Sequence, residues 1–225
     1  HYTFENYVDL FTKTEFPRAL LNSLMIAFLT TVCCLLISIL GSYAMTRLKY
    51  PGRRFFKTSI IFSYLIPTAV LFVPMYVFVS KLGFYDNKWA LLIIYPTTVV
   101  PYCCYMLMSY FKAIPYALEE AALIDGCTRM KSLRYIITPI ALPGIAVVAT
   151  FAFTMSWNEY LYAMIMTTSP AQQTAVVAIS SFKYADSAIW GRIMAASVLT
   201  SLPVTIIYIV AQAQLISGKS DGSVK

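Results

Sequence analysis

Five stretches of this chain, 20–46, 58–80, 89–111, 137–165 and 189–212, stay apolar over lengths that cross a bilayer, for which about 20 residues suffice in a helix. No other feature constrains the fold as much. A backbone in hydrocarbon must satisfy its own hydrogen bonds, which leaves helices or closed barrels. None of the five shows the ten-residue alternation of a membrane barrel, so the expected fold class is all-α, a polytopic transmembrane helical bundle forming one domain over 1–225. Composition agrees: 59% hydrophobic residues, 12% charged ones and a mean hydropathy of +0.69 exceed what a soluble fold of this size can bury.

The basic residues divide the connections into two sets. Arg47, Lys49, Arg53, Arg54, Lys57, Lys112, Arg129, Lys131, Arg134, Lys219 and Lys225 fall on one side against Glu119, Glu120, Asp125 and Asp221. On the other side Lys13, Arg18, Lys81, Lys88, Lys183 and Arg192 are balanced by Glu5, Asp9, Glu15, Asp86, Glu159 and Asp186. Excess Lys and Arg mark the cytoplasmic side, so the net charge of +7 reports topology and gives no reason to invoke nucleic acid. His1 then lies outside, which leads to the expectation of a further membrane helix upstream and six spans in all.

The cysteines form no metal-binding pattern: Cys33/Cys34 and Cys103/Cys104 are adjacent pairs within spans, Cys127 stands alone, and no CxxC occurs. Small apolar packing accounts for them. The prolines say more. Pro67, Pro74, Pro96, Pro101, Pro139, Pro143 and Pro203 each remove a helical hydrogen bond, which suits kinked helices around a pathway, although proline is also common in membrane helices generally.

Between the third and fourth spans lies the most polar long stretch, "EEAALIDGCTRMKSLRYIITP" over 119–139. Pro115 suits a first helical turn, Glu119 and Glu120 favour its positive end, and Gly126 suits the left-handed residue that terminates it. Thr128 is placed to cap a second helix running through Arg134. The short helix offers Ala117, Ala121, Ala122, Leu123 and Ile124 as a compact face suited to docking on another protein. A helix lying on lipid would instead favour bulky aromatics and a basic polar face.

The spacing in "EAALIDGCTRMKSLRYIITP", Glu-Ala-Ala, three residues, Gly, nine residues, Ile, then one residue, Leu and Pro, resembles the cytoplasmic signature of permeases of ABC importers. Glu120, Ala121, Ala122, Gly126, Ile136 and Pro139 match, and Thr138 stands where the family has Leu. The likeness extends to "NSLMIAFLTT", "GSYAMTRLKYPGRR", "WNEYLYAM" and the closing "GKSDGSVK", and is strongest to the second permease of maltose-type carbohydrate importers. It implies a type I ABC importer fold, a cytoplasmic coupling-helix loop over 112–135, and an ATPase-coupling role for Glu120, Ala121, Ala122 and Gly126, with Glu119 and Asp125 beside them. It also implies a second permease chain, two ATPase subunits that carry the ATP and Mg, an extracytoplasmic solute-binding protein, a sugar substrate and a place in the cytoplasmic (inner) membrane, with no cofactor or catalysis on this chain.

The "SGKS" over 217–220 lacks the upstream glycine and strand of a phosphate-binding loop. "SWNEYLY" is a better candidate for a site. Glu159 stands about 24 Å along a helix from Pro143, toward the outer membrane edge, where an ionisable group is costly unless it faces protein or water. Trp157 has a face for a sugar ring, and Asn158 and Glu159 can bond hydroxyls, while a structural role for all three remains open. Tyr64, Thr68 and Asn22 complete the candidate substrate path. A glycerol-phosphate compound or polyol is the alternative cargo. A secondary transporter would leave the coupling signature without a purpose.

Overall fold

Proline and glycine set the helix boundaries in this bundle. The computed structural model describes residues 4–182 and 189–220, and every regular element among them is helical. A short helix, α1 (Glu5–Lys13), precedes the long α2 (Phe16–Arg47), whose first turn holds Pro17, where the missing N–H costs nothing. Next come α3 (Arg53–Leu65), α4 (Thr68–Lys81) and α5 (Ala90–Ala113). The polar stretch forms α6 (Tyr116–Ile124) and α7 (Arg129–Ser132), continued by a π-helical turn over Leu133–Ile137 and by α8 (Thr138–Ile140). The chain ends with α9 (Leu142–Trp157), α10 (Leu161–Met166), α11 (Ala175–Ser181) and α12 (Ile189–Ser220). His1, Lys183, Asp186, Asp221, Lys225 and the side chains of 217–220, Lys219 included, lie outside what is described.

Three of the five expected spans are single helices, within α2, α5 and α12. The other two are broken. Over 58–80 the chain bends by 98° between α3 and α4, because Pro67 holds Ile66 extended (φ −72°, ψ 121°) and ends the helix before it. Over 137–165 the bend is 81°, at Ala141 beside Pro143. The π-helical turn lies just ahead, with the Thr138 amide donating five residues back to Leu133, next to the donor that Pro139 lacks. Pro74, Pro96, Pro101 and Pro203 sit inside helices that stay whole.

Tertiary packing centres on α2, α5 and α9. Cys34, Val99, Cys103, Leu107, Phe111, Ile137 and Val148 form one buried core between them. The α5–α9 approach depends on Gly144, where an added Cβ would stand 2.4 Å from the Tyr110 ring. At the end of the bundle away from the basic linkers, α1 is fastened to α12 by Asp9, which meets Lys13 at 2.8 Å and Arg192 at 3.0 Å.

Candidate functional site

The basic end of the bundle presents α6 as a short rod between two non-helical joints. Extended Ile114 and Pro115 (ψ 125° and 136°) start it, and Gly126 in the left-handed region (φ +84°) ends it. The terminal bonds are those of a Schellman motif: Cys127 N–H donates to Ala122 and Gly126 N–H to Leu123. Thr128 then caps α7 by accepting from the Lys131 amide at 3.3 Å. Both expected caps are therefore present, while Pro115 stands one residue before the first helical position.

The exposed face of α6 differs from the expected one. Glu120, Ala121, Asp125 and Gly126 face outward, as do Ala117 and Ile124, the last 86% exposed. Glu119 and Ala122, expected on the same surface, are 4% and 6% exposed and are the two buried residues of the helix. They turn inward because Glu119 meets the end of α2: the Tyr43 hydroxyl donates to one carboxylate oxygen, and Arg47 Nε stands 3.7 Å from the other. The Arg47 guanidinium lies 4.2 Å from the centre of the Tyr116 ring, whose hydroxyl donates to the Thr46 carbonyl at 2.5 Å. A crevice of about 650 Å³ opens beside this cluster, lined in part by Lys49, Tyr50, Glu120 and Arg129.

The candidate path residues do not converge on one site. Asn22 is buried and holds a loop at the opposite end, donating to the carbonyls of Ala171 and Gln173 (3.1 and 3.0 Å) and accepting from Lys88 Nζ (2.7 Å). Trp157, 2% exposed, stacks on Phe153 and donates to the Thr200 carbonyl, so its ring faces cover helix contacts. Helix α9 ends at Trp157, two residues short of Glu159. Glu159 instead caps α10, accepting from the amides of Tyr162 and Ala163 at 3.0 and 3.1 Å.

Tyr162 links two of the candidates, because its hydroxyl also donates to the Thr68 carbonyl at 3.3 Å. Tyr64 is exposed and packs on Tyr102, which stacks on Phe151 at 4.0 Å. Asn158 is exposed on a cleft of about 390 Å³ with Ser197, Thr200, Ser201 and Thr205 of α12. Sequence reasoning passed over Tyr162 and this hydroxyl row. The row has a signal, Ser197, Ser201 and Thr205 at four-residue spacing, one face of a helix.

Loops at the end opposite α6 are joined by Asp86. Its carboxylate accepts from the Ser169 amide at 2.8 Å and from the Ser169 hydroxyl. Those two bonds, the hydroxyl first, hold the carboxyl below its ordinary value of 3.8. Among the described residues no group of three or more His, Cys, Asp or Glu is placed to hold a metal ion.

Broken and unbroken apolar helices packed together, with a short polar helix held out from one end, are the architecture of a polytopic membrane protein. The chain belongs to the family of binding-protein-dependent transport system inner membrane components, whose model matches residues 35–219. It is 37% identical over 226 residues to the inner membrane ABC transporter permease protein YcjP of Escherichia coli K12, covering 100% of this chain and 81% of that one. It is 34% identical to the trehalose/maltose transport system permease protein MalG of Thermococcus litoralis (99% and 81% covered) and 32% identical to the trehalose transport system permease protein SugB of Mycobacterium tuberculosis (99% and 82%). The fold is that of type I ABC importer permeases. It superposes on a bacterial ABC transporter involved in import of the acidic polysaccharide alginate with a TM-score of 0.83 at 22% identity (93% and 79% covered), and on the inward-facing MetNI methionine ABC transporter with 0.66 at 18% identity (90% and 93%).

Proposed function

We propose that this chain is the permease subunit of an ATP-driven carbohydrate importer and forms its translocation path with a second, homologous permease. One observation carries the coupling part of this reading: α6 displays Glu120, Ala121, Ile124 and Asp125 to solvent at the basic end, while Glu119 and Ala122 hold it to the bundle. An exposed isoleucine among alanines and acids suits a cleft in a protein better than a lipid surface. In this reading 112–135 is the cytoplasmic coupling loop of a single permease domain over 1–225, and Gly126 provides its turn.

Two ATPase subunits bind ATP and Mg and do the hydrolysis, and an extracytoplasmic solute-binding protein delivers cargo from the opposite side. The choice of carbohydrate follows relatives named for trehalose, maltose, diacetylchitobiose and sulfoquinovosyl glycerol transport. Of the six path candidates, Asn158 opens onto the cleft that mixes the α12 hydroxyls with Val176, Ile179 and Val204, and is the first choice for contact with sugar hydroxyls.

Co-purification tests the coupling reading. The wild-type chain is expected to bring down its cognate ATPase, and E120K to lose it while the membrane fold survives. An ATPase that never binds, or binds both equally, overturns the reading.

A further inference from the structure

Arg47 is the last residue of α2, and three elements meet on its side chain. Its Nη2 donates to the carbonyls of Phe111 and Ile114, 2.6 Å each, at the C-terminal end of α5. Those carbonyls stand at the negative end of the α5 dipole, where a guanidinium is favoured, and the Phe111 carbonyl also accepts from the Ile114 amide at 3.3 Å. Toward α6 the same group faces Glu119 and lies over Tyr116. One cation thus joins the ends of two membrane helices to the short rod that follows them.

The rod has a second tie to α2, the Tyr116 hydroxyl donating to the Thr46 carbonyl at 2.5 Å. Ile114 and Pro115 at its start are extended, Gly126 at its end is left-handed, and of its nine residues Glu119 and Ala122 alone are buried. Ala122 contributes one buried methyl group, whose dispersion contacts are individually weak. Glu119 can transmit force in both directions, because its carboxylate is held by the Tyr43 hydroxyl as well as by the charge of Arg47.

The ion pair is also incompletely closed. Arg47 Nε and Nη1 and Glu119 Oε2 are buried without hydrogen-bond partners, and the Nε–Oε2 separation is 3.7 Å. Charge-assisted bonds form at about 2.8 Å, so at 3.7 Å the pair is an ionic contact and the Tyr43 hydroxyl is the shorter tie from α2 to Glu119. Drawing α6 away from α2 breaks the Tyr43 bond and separates the ion pair.

We propose that Glu119 is the positioning residue through which displacement of α6 is passed to α2 and α5, with the Arg47 guanidinium as the joint. This rests on the reading that α6 docks on the ATPase. It assigns Glu119 to energy coupling inside the permease, distinct from the docking face made by Glu120, Ala121, Ile124 and Asp125. Neutralising it should leave the ATPase bound and reduce the solute moved per ATP hydrolysed, a ratio that loss of folded protein alone does not change.

The test uses the complete complex, with the second permease, ATPase subunits and solute-binding protein, in proteoliposomes. ATP hydrolysed and solute accumulated are measured together for wild type, E119Q and Y43F. E119Q is expected to co-purify with the ATPase and to lower solute per ATP about tenfold, the size of one charge-assisted bond. Y43F, which removes one hydroxyl, is expected to lower it about threefold. Ratios within about twofold of wild type in both variants overturn the proposal. Should E119Q not assemble, Y43F alone decides by the same criterion. A wild-type chain that fails to bring down the ATPase overturns the docking reading, and the proposal with it; an assembled wild type with unchanged variants overturns the proposal alone.

Discussion

The indole Nε1 of Trp157 donates to the backbone carbonyl of Thr200 at 3.2 Å, which ties the end of α9 to the middle of α12. Its ring stacks on Phe153 at 5.5 Å with 18° between the planes. This tryptophan is a helix-to-helix fastener. Trp157→Phe should keep the stacking and lose the hydrogen bond, costing about 1 kcal/mol, whereas Trp157→Ala should cost about 3–5 kcal/mol. Thermal unfolding in detergent gives the ranking. Transport by the Phe variant should keep an unaltered KM for its solute, and a large rise in KM would instead put the ring in the substrate path.

Gly144 and Tyr110 make a second close contact. A Cβ on Gly144 would fall 2.4 to 2.8 Å from three ring atoms near the base of the tyrosine, where a simple rotation gives no relief. Gly144→Val should force α9 from α5 and cost about 1–3 kcal/mol, with Gly144→Ala in the same direction and smaller. Because the strain comes from one neighbour, Tyr110→Ala in the same chain should recover part of the loss. A double-mutant cycle on unfolding midpoints measures the coupling, and strictly additive losses would contradict the contact.

Asp86 adds a pH dependence at the opposite end. Its carboxyl is held below 3.8 by the hydroxyl and amide of Ser169. For a depressed acid, the contribution is complete above the unfolded value and is lost as pH falls through the folded one. The tie between the two loops should therefore be constant from neutral down to about pH 5 and fade only below the ordinary carboxylate range. Hydrogen exchange at the Ser169 amide follows it directly. Asp86→Asn should abolish the dependence, and protection that begins to fall near pH 6 would exclude Asp86 as its source.

The parts of this arrangement legible in the sequence are those set by local chemistry. Gly126 and Thr128 act within a few residues of themselves, so the turn and the cap follow from residue type and spacing. The number of apolar passages is legible for the same reason, since length and hydropathy are local sums. Helix direction about its axis is not. Glu119 faces inward because its partner Tyr43 stands 76 residues earlier in the chain, and Glu119 and Glu120 look alike until that partner is in place. Trp157 resembles a sugar platform in sequence and is covered by Phe153 and α12 in the fold. Prolines likewise read alike: Pro67 bends its span by 98°, while Pro96 and Pro101 leave α5 whole within the packed core of α2 and α9.

Gly126 offers the sharpest test of how the short rod is held. Its φ of +84° lies where a side chain is strained, yet nothing stands within 4 Å of the position a Cβ would take. The cost of substitution is therefore conformational and not steric. Gly126→Ala should destabilise the turn by about 1–2 kcal/mol, and Gly126→Asn by less, since asparagine visits the left-handed region readily. Gly126→Pro is more severe, because it removes the N–H that donates to Leu123 and forbids positive φ. The membrane bundle shares none of these bonds, so unfolding of the whole chain should change little across the series while proteolysis within 119–131 accelerates in the order Gly, Asn, Ala, Pro. Equal cleavage rates in all four chains would mean that the Schellman turn does not hold α6 against α7 in solution.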